Sequence, residues 1–152
     1  MGRSVPRIYA SLDNKQVEFQ SHMIEVEGKI NDQPIVIYND SRANHSYLDP
    51  KKMERFQLPR SKLGKPWLVQ LATRTKRKIN EMVKACPMKM NVLRTKAYFD
   101  IIPLGSYDCF IGMDWLDQHH VVLYYYNKAF TCLDEKRSLR TVQGIPRAVN
   151  LI

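Results

Sequence analysis

The sequence predicts an all-β, barrel-like domain carrying one or two short helices. Three observations lead there. Short segments of alternating apolar and polar residues follow one another along most of the chain. Clusters of Asn, Asp, Gly, Pro and Ser separate them at close intervals. Only two places carry helix-start chemistry, and each is soon followed by a stop or a turn. With 152 residues, 44% of them hydrophobic, the chain can bury one core. That composition excludes wholesale disorder, and that length leaves no room for a second full-sized domain. No apolar run approaches the roughly 20 residues of a membrane span, so no membrane partner is expected. Residues 1–6 carry no apolar segment of the secretory kind.

Taken in order, residues 1–20 are polar and weakly periodic and read as a linker or arm. From Met23 the pattern changes: Ile24, Val26 and Ile30 stand at even spacings, the mark of a half-buried strand. Asn31-Asp32-Gln33-Pro34 supplies turn residues, and residues 35–38 form a shorter, more fully buried strand before a polar loop, 39–46. Asp49 is placed to cap a helix, Pro50 suits its first position, and Leu48 with Met53 makes a hydrophobic staple. Leu58-Pro59 keeps that helix short.

Trp67, Val69 and Leu71 alternate, as do Ile79, Val83 and Ala85 beyond Thr73-Arg74-Thr75, so a second hairpin with a basic tip is predicted. Met88, Met90 and Val92, then Ala97, Phe99 and Ile101, predict a third pair of strands around residues 91–95. After the loop Pro103-Leu104-Gly105-Ser106 comes an apolar strand, 108–112. Asp114 is the expected cap of a short helix, 115–119, before a final hairpin of residues 121–126 and 129–133.

Lys and Arg number 24 against 15 Asp and Glu, a formal charge of +9 at pH 7. Such an excess admits nucleic acid as a partner. No motif in the chain supports that partner, and a solvated basic surface is the simpler reading. The run Arg74-Thr75-Lys76-Arg77-Lys78 reads the same way, as a solvated hairpin tip that blunts an edge. Cys86, Cys109 and Cys132 are odd in number and far apart, with no C-x-x-C pair, which argues against a disulfide framework or a zinc site. They read as reduced thiols on strands of an intracellular protein. His119 and His120 are adjacent, point to opposite faces of a strand, and have no Cys or acidic cluster beside them, so no metal or cofactor is expected. Tyr124, Tyr125 and Tyr126 likewise alternate in direction and suit packing with a wet hydroxyl.

The segment that suggests chemistry is Asp40-Ser41-Arg42-Ala43, a carboxylate at the end of a buried strand with a hydroxyl beside it. Asp-Ser alone is a weak signal and reads first as an ordinary turn or a helix-capping Asp. The order of elements around it is more specific. A hairpin, the Asp-Ser-x-Ala loop, a short helix, a long hairpin and an apolar strand ending Ile111-Gly112-Met113-Asp114-Trp115-Leu116 together resemble the retropepsin domain of plant gypsy-type retrotransposon polyproteins. His45 and Tyr47 hold places similar to the family's His and aromatic after its Asp-Ser-Gly-Ala loop. Trp67-Leu68-Val69-Gln70-Leu71-Ala72-Thr73 looks like its flap, and Pro103-Leu104-Gly105-Ser106-Tyr107-Asp108 is similar to its late signature.

The resemblance covers roughly residues 21–147 and implies a retropepsin-like acid-protease barrel. It implies an aspartic endopeptidase that cuts its own polyprotein as an obligate homodimer, one catalytic Asp per subunit, without metal or cofactor. Asp40 takes the catalytic position and Ser41 holds the loop, while Ala43, Ala72, Thr73 and Arg74 fall at substrate-binding positions. The expected organisation is a polar linker at 1–20, the protease domain at 21–134, and an extension at 135–152 toward a following polyprotein segment. The expected location is the cytoplasm or retroelement particles.

Three positions depart from the family pattern. Arg42 and Arg74 stand where the family has glycine, and Asn39 precedes Asp40 where it has an apolar residue. Two aspartates serve this chemistry because they share one proton, one accepting from water while the other donates. A guanidinium about 5–6 Å away, at an effective dielectric near 20, favours the fully ionised pair by on the order of 3 kcal/mol and works against that proton. The alternative reading is therefore a catalytically inactive retropepsin-fold interaction or assembly module.

Overall fold

The computed structural model describes residues 7–8, 23–71 and 76–146. Strand β1 spans Arg7–Ile8, β2 Met23–Ile30 and β3 Gln33–Asp40. The β2–β3 turn is two residues long because Asn31 and Asp32 both accept left-handed backbone, at φ 51° and 61°. That is the turn whose twist matches an antiparallel pair. Gln33 and Pro34, expected in the turn, instead open β3, paired with Ile30 and Lys29. After β4 (Ser46–Leu48) comes helix α1 (Pro50–Arg55), with the Asp49 side chain accepting from the Lys51 N–H and Met53 buried beneath, as the capping residues predicted.

Strands β5 (Ser61–Leu71), β6 (Lys76–Met90) and β7 (Leu93–Ile101) follow. The second and third predicted hairpins share β6, a single strand of 15 residues that pairs with both neighbours. Its register shifts between Val83 and Cys86, where Ala85 takes φ 46°. The extra residue reverses which side chains face inward. Ile79 and Val83 are buried before the shift, and Cys86, Met88 and Met90 after it. One bulged strand therefore reads in sequence as two alternating runs out of phase. Val92, expected in a strand, is at the exposed β6–β7 turn.

Strand β8 (Cys109–Ile111), helix α2 (Met113–Gln118), and strands β9 (Val122–Tyr124), β10 (Ala129–Leu133) and β11 (Leu139–Gln143) complete the chain. Six strands close a barrel in the order β6-β2-β3-β8-β4-β7, with β7 returning to β6. β1 lies parallel to the far end of β5, and β9, β10 and β11 form a separate small sheet. That sheet is tied to β2, since the Ile145 N–H donates to the Glu25 carbonyl at 2.7 Å.

The protein is mostly β with two short helices, as predicted. Its interior holds Ile24, Val26, Ile37, Leu48, Phe99, Ile111 and Phe130. A second apolar cluster, including Tyr47, Val69, Ile79, Tyr107 and Phe110, lies between the barrel and the β5–β6 hairpin. Cys86, Cys109 and Cys132 are free, buried and on strands.

A buried thiol and a half-buried phenol make stability pH-dependent. Burial pushes the Cys86 thiol up to about 11, and burial, followed by the Asp108 charge, pushes the Tyr38 hydroxyl up to about 12. Both groups hold their protons more tightly folded than unfolded. Their contribution is complete below the unfolded values of 9.0 and 10.0 and is lost as pH rises through the folded ones. Melting temperature is expected to fall from pH 9 to 12, and less steeply in a Cys86→Ala/Tyr38→Phe double variant. Equal slopes in thermal scans of the two proteins would contradict this account.

Candidate active site

Strand alternation divides the residues of β3 between two environments. Ile35, Ile37 and Asn39 share the barrel-core face, and Val36, Tyr38 and Asp40 the other. Asn39 is fully buried; its Nδ2 donates to the Ile24 carbonyl at 3.2 Å, while its Oδ1 has no partner among the described residues. This is how a polar residue is accommodated where the resemblance calls for an apolar one. Asp40 ends the strand and is only 1% exposed.

The chain turns immediately after Asp40. The Arg42 N–H donates to Asp40 Oδ1 at 2.9 Å, and the Ala43 N–H to the Asp40 carbonyl at 3.2 Å. Ser41 Oγ lies 2.8 Å from the Tyr125 hydroxyl, so the loop is anchored to the segment following β9. Arg42 is outside the left-handed region, so arginine costs no backbone strain in the glycine's place. Its consequence is electrostatic. The guanidinium folds back so that Nε lies 3.8 Å from Asp40 Oδ1.

The far side of the loop is held by β8. This strand pairs parallel with β3, Asn39 against Ile111, which sets Gly112 against residues 43–46. A side chain at Gly112 would collide with the carbonyl oxygens of Ala43 and His45, so only glycine fits. The first turn of α2 then closes on the loop: the Met113 N–H donates to the Ala43 carbonyl at 2.7 Å and the Asp114 N–H to the Asn44 carbonyl at 3.1 Å. Ser46 Oγ donates to Asp114 Oδ1 at 2.7 Å and accepts from the Gly112 N–H at 3.1 Å. Asp114 thus does not take the capping position expected of it; Gly112 does, and Asp114 sits inside the first turn, accepting from the Trp115 N–H at 2.8 Å.

Around this junction, the His45 ring packs edge-on against Trp67 at 4.5 Å, with Nδ1 4.0 Å from Asp100 Oδ2. Burial first, and then the charges of Asp100 and Asp114, push the Tyr47 hydroxyl far above its ordinary range and keep it neutral. Asp40, Ser41 and Ala43 are brought together in one loop. Ala72, Thr73 and Arg74 lie outside the described residues, although β5 and β6 pair up to Gln70 and Lys76 on either side. His119 lies at the end of α2 and not on the strand expected of it, and His120 follows at φ 52°; the His119 ring stacks on Trp115 at 4.1 Å, and its Nδ1 is 2.9 Å from the Trp115 carbonyl.

Tyr125 and Ser46 are the structural participants that sequence reasoning missed, and the close contact at Gly112 is the part of the late signature whose role it did not foresee. Neither Tyr125 nor Ser46 carried a local signal, since each partner lies far off in the chain.

A family model described as retroviral aspartyl protease matches residues 4–138. Among solved structures, the retroviral protease-like domain of Ddi1 from Leishmania major matches with a TM-score of 0.60 and 19% identity, covering 82% of this chain and 94% of that one. The likeness is one of fold. No curated protein matches.

Gly112→Ala is expected to destabilise the fold by about 2–3 kcal/mol, because backbone must move to admit the methyl group. Asp114→Ala is expected to cost about 1–3 kcal/mol through the donors it strands. Urea unfolding monitored by tryptophan fluorescence measures both, and a wild-type midpoint for Gly112→Ala would show that the loop does not rest on this contact.

Proposed function

The chain belongs to the retroviral aspartyl protease family, and we propose that it is one half of a homodimeric aspartic endopeptidase of retrotransposon type, cutting peptide bonds of a polyprotein. The observation that carries this reading is the Asp40 carboxylate at the end of β3, held by the Arg42 N–H in a loop anchored through Ser41. One such loop supplies one carboxylate, and a twofold partner supplies the second. Water between the two Asp40 side chains attacks the substrate carbonyl. The ionised carboxylate takes the water proton, and the protonated one donates to the developing oxyanion. In this reading the β5–β6 hairpin is the flap that covers the substrate, and Ala72, Thr73 and Arg74, which lie outside the described residues, are the substrate-binding positions.

Two observations favour a second reading, a non-catalytic assembly module that keeps the fold. Arg42 Nε is 3.8 Å from Asp40 Oδ1, and Asp40 is buried in the single chain. At an effective dielectric near 20 that guanidinium favours the ionised carboxylate by about 4 kcal/mol before solvent screening, and a dimer brings two of them.

Purified protein incubated with a peptide library at pH 4–7 separates the readings. The protease reading expects pepstatin-sensitive turnover that Asp40→Asn abolishes. Arg42→Gly should then raise turnover at least about tenfold and move the pH optimum upward, because the guanidinium no longer favours the ionised form. Turnover found only in Arg42→Gly supports a module descended from an active enzyme, and no turnover in either protein sinks the protease reading.

A further inference from the structure

Away from Asp40, the outer face of the barrel carries an arrangement of charge that stability alone does not explain. Lys29 on β2 stands opposite Lys89 on β6, and Lys89 stands opposite Arg94 on β7. Three cations therefore form one row across three adjacent strands. Lys96, two residues beyond Arg94 on the same face, adds a fourth. Like charges directly opposite one another weaken a sheet. None of the four forms an ion pair among the described residues, although Asp32 and Glu135 also line their groove, an open space of about 490 Å³. Tyr98 continues the face two residues past Lys96 and is 55% exposed. Asp40 is at the other end of β3 from the β2–β3 turn, roughly 20 Å along the strand.

We propose that this face binds the sugar–phosphate backbone of single-stranded nucleic acid, with Lys29, Lys89, Arg94 and Lys96 taking phosphates and Tyr98 stacking on a base. The row spans about 10 Å from strand to strand. That exceeds one phosphate group and suits a repeating polyanion. The flat aromatic beside it selects a chain whose bases are unpaired. An acidic peptide would satisfy the cations and leave Tyr98 without a role. The surface is independent of catalysis at Asp40.

Fluorescence anisotropy of the full chain with a labelled 20-nucleotide oligouridylate tests this. Binding is expected at 50 mM salt, with log K falling against log salt at a slope of about −2 to −3 for three or four phosphate contacts. Lys89→Ala/Arg94→Ala/Lys96→Ala should lower affinity at least about tenfold and flatten the slope by about 2. Tyr98→Ala should weaken binding without changing the slope, and Tyr98→Phe should restore it. Asp40→Asn should bind as the wild type does, which separates this surface from the protease reading.

Removing three cations elsewhere, Lys76→Ala/Arg77→Ala/Lys78→Ala, should leave binding unchanged; an equal loss there would reduce the effect to net charge and overturn the proposal. It is also overturned by no binding at 50 mM salt, by wild-type affinity in the first triple variant, by tighter binding of duplex than of single strand, or by tighter binding of oligoglutamate than of oligouridylate. Thermal melting checks folding, and if the triple variant melts early, single Lys96→Ala with the Tyr98 pair decides by the same criteria.

Discussion

The parallel pairing of β3 with β8 is the contact on which the rest of the structure depends. It joins segments about seventy residues apart, Ile37 to Cys109 and Asn39 to Ile111, and without it the ring of six strands stays open. It also determines where both strands end. Because they run the same way, the turn after Asp40 and the turn after Ile111 emerge side by side, and Gly112 meets the loop that carries the carboxylate. The amides at the start of α2 then satisfy the carbonyls of Ala43 and Asn44, which the tight loop cannot pair within itself. Ser46 and Asp114 lock the junction from below. The loop is held from both sides because its backbone hydrogen bonds are shared between two distant pieces of chain.

That division of labour explains how the fold accommodates departures from the family pattern. Arginine at position 42 needs no left-handed backbone, and its own amide still donates to Asp40. Packing and hydrogen bonding therefore tolerate it, and what changes is the charge beside the carboxylate. Asn39 is absorbed in the same way, through one hydrogen bond to the neighbouring strand. Conservation of shape and retention of chemistry rest on different atoms of the same loop.

The excess of positive charge divides correspondingly. Arg42 is turned inward onto Asp40, Lys52 lies 3.4 Å from Asp108, and Arg60 and Arg140 lie 3.3 and 3.4 Å from Glu81 and Asp134. Lys29, Lys89, Arg94 and Lys96 have no such carboxylate among the described residues and share one sheet face. A net charge of +9 describes none of this, since the same total could be spread evenly. Strand register is what collects four of the cations in one place.

Local chemistry made much of the architecture legible. Asn31-Asp32 and Asp49-Pro50 act within a few residues of themselves, so the first hairpin and α1 follow from the amino acids directly. Asp40 was legible for a related reason, as an acid ending an apolar strand with serine next to it. The continuity of β6 was not, because a bulge at Ala85 inverts the alternation and imitates a boundary. Tyr125 holding Ser41, and Asp114 bonding Ser46, were not either. Sequence by itself determined the first hairpin, α1 and the loop that presents Asp40, all matters of short-range backbone preference and burial, while β4 and β11 left no such mark. Only the tertiary structure decided what surrounds that carboxylate, whether Arg42 faces it, and which cations stand together, because each depends on register between strands far apart in the chain.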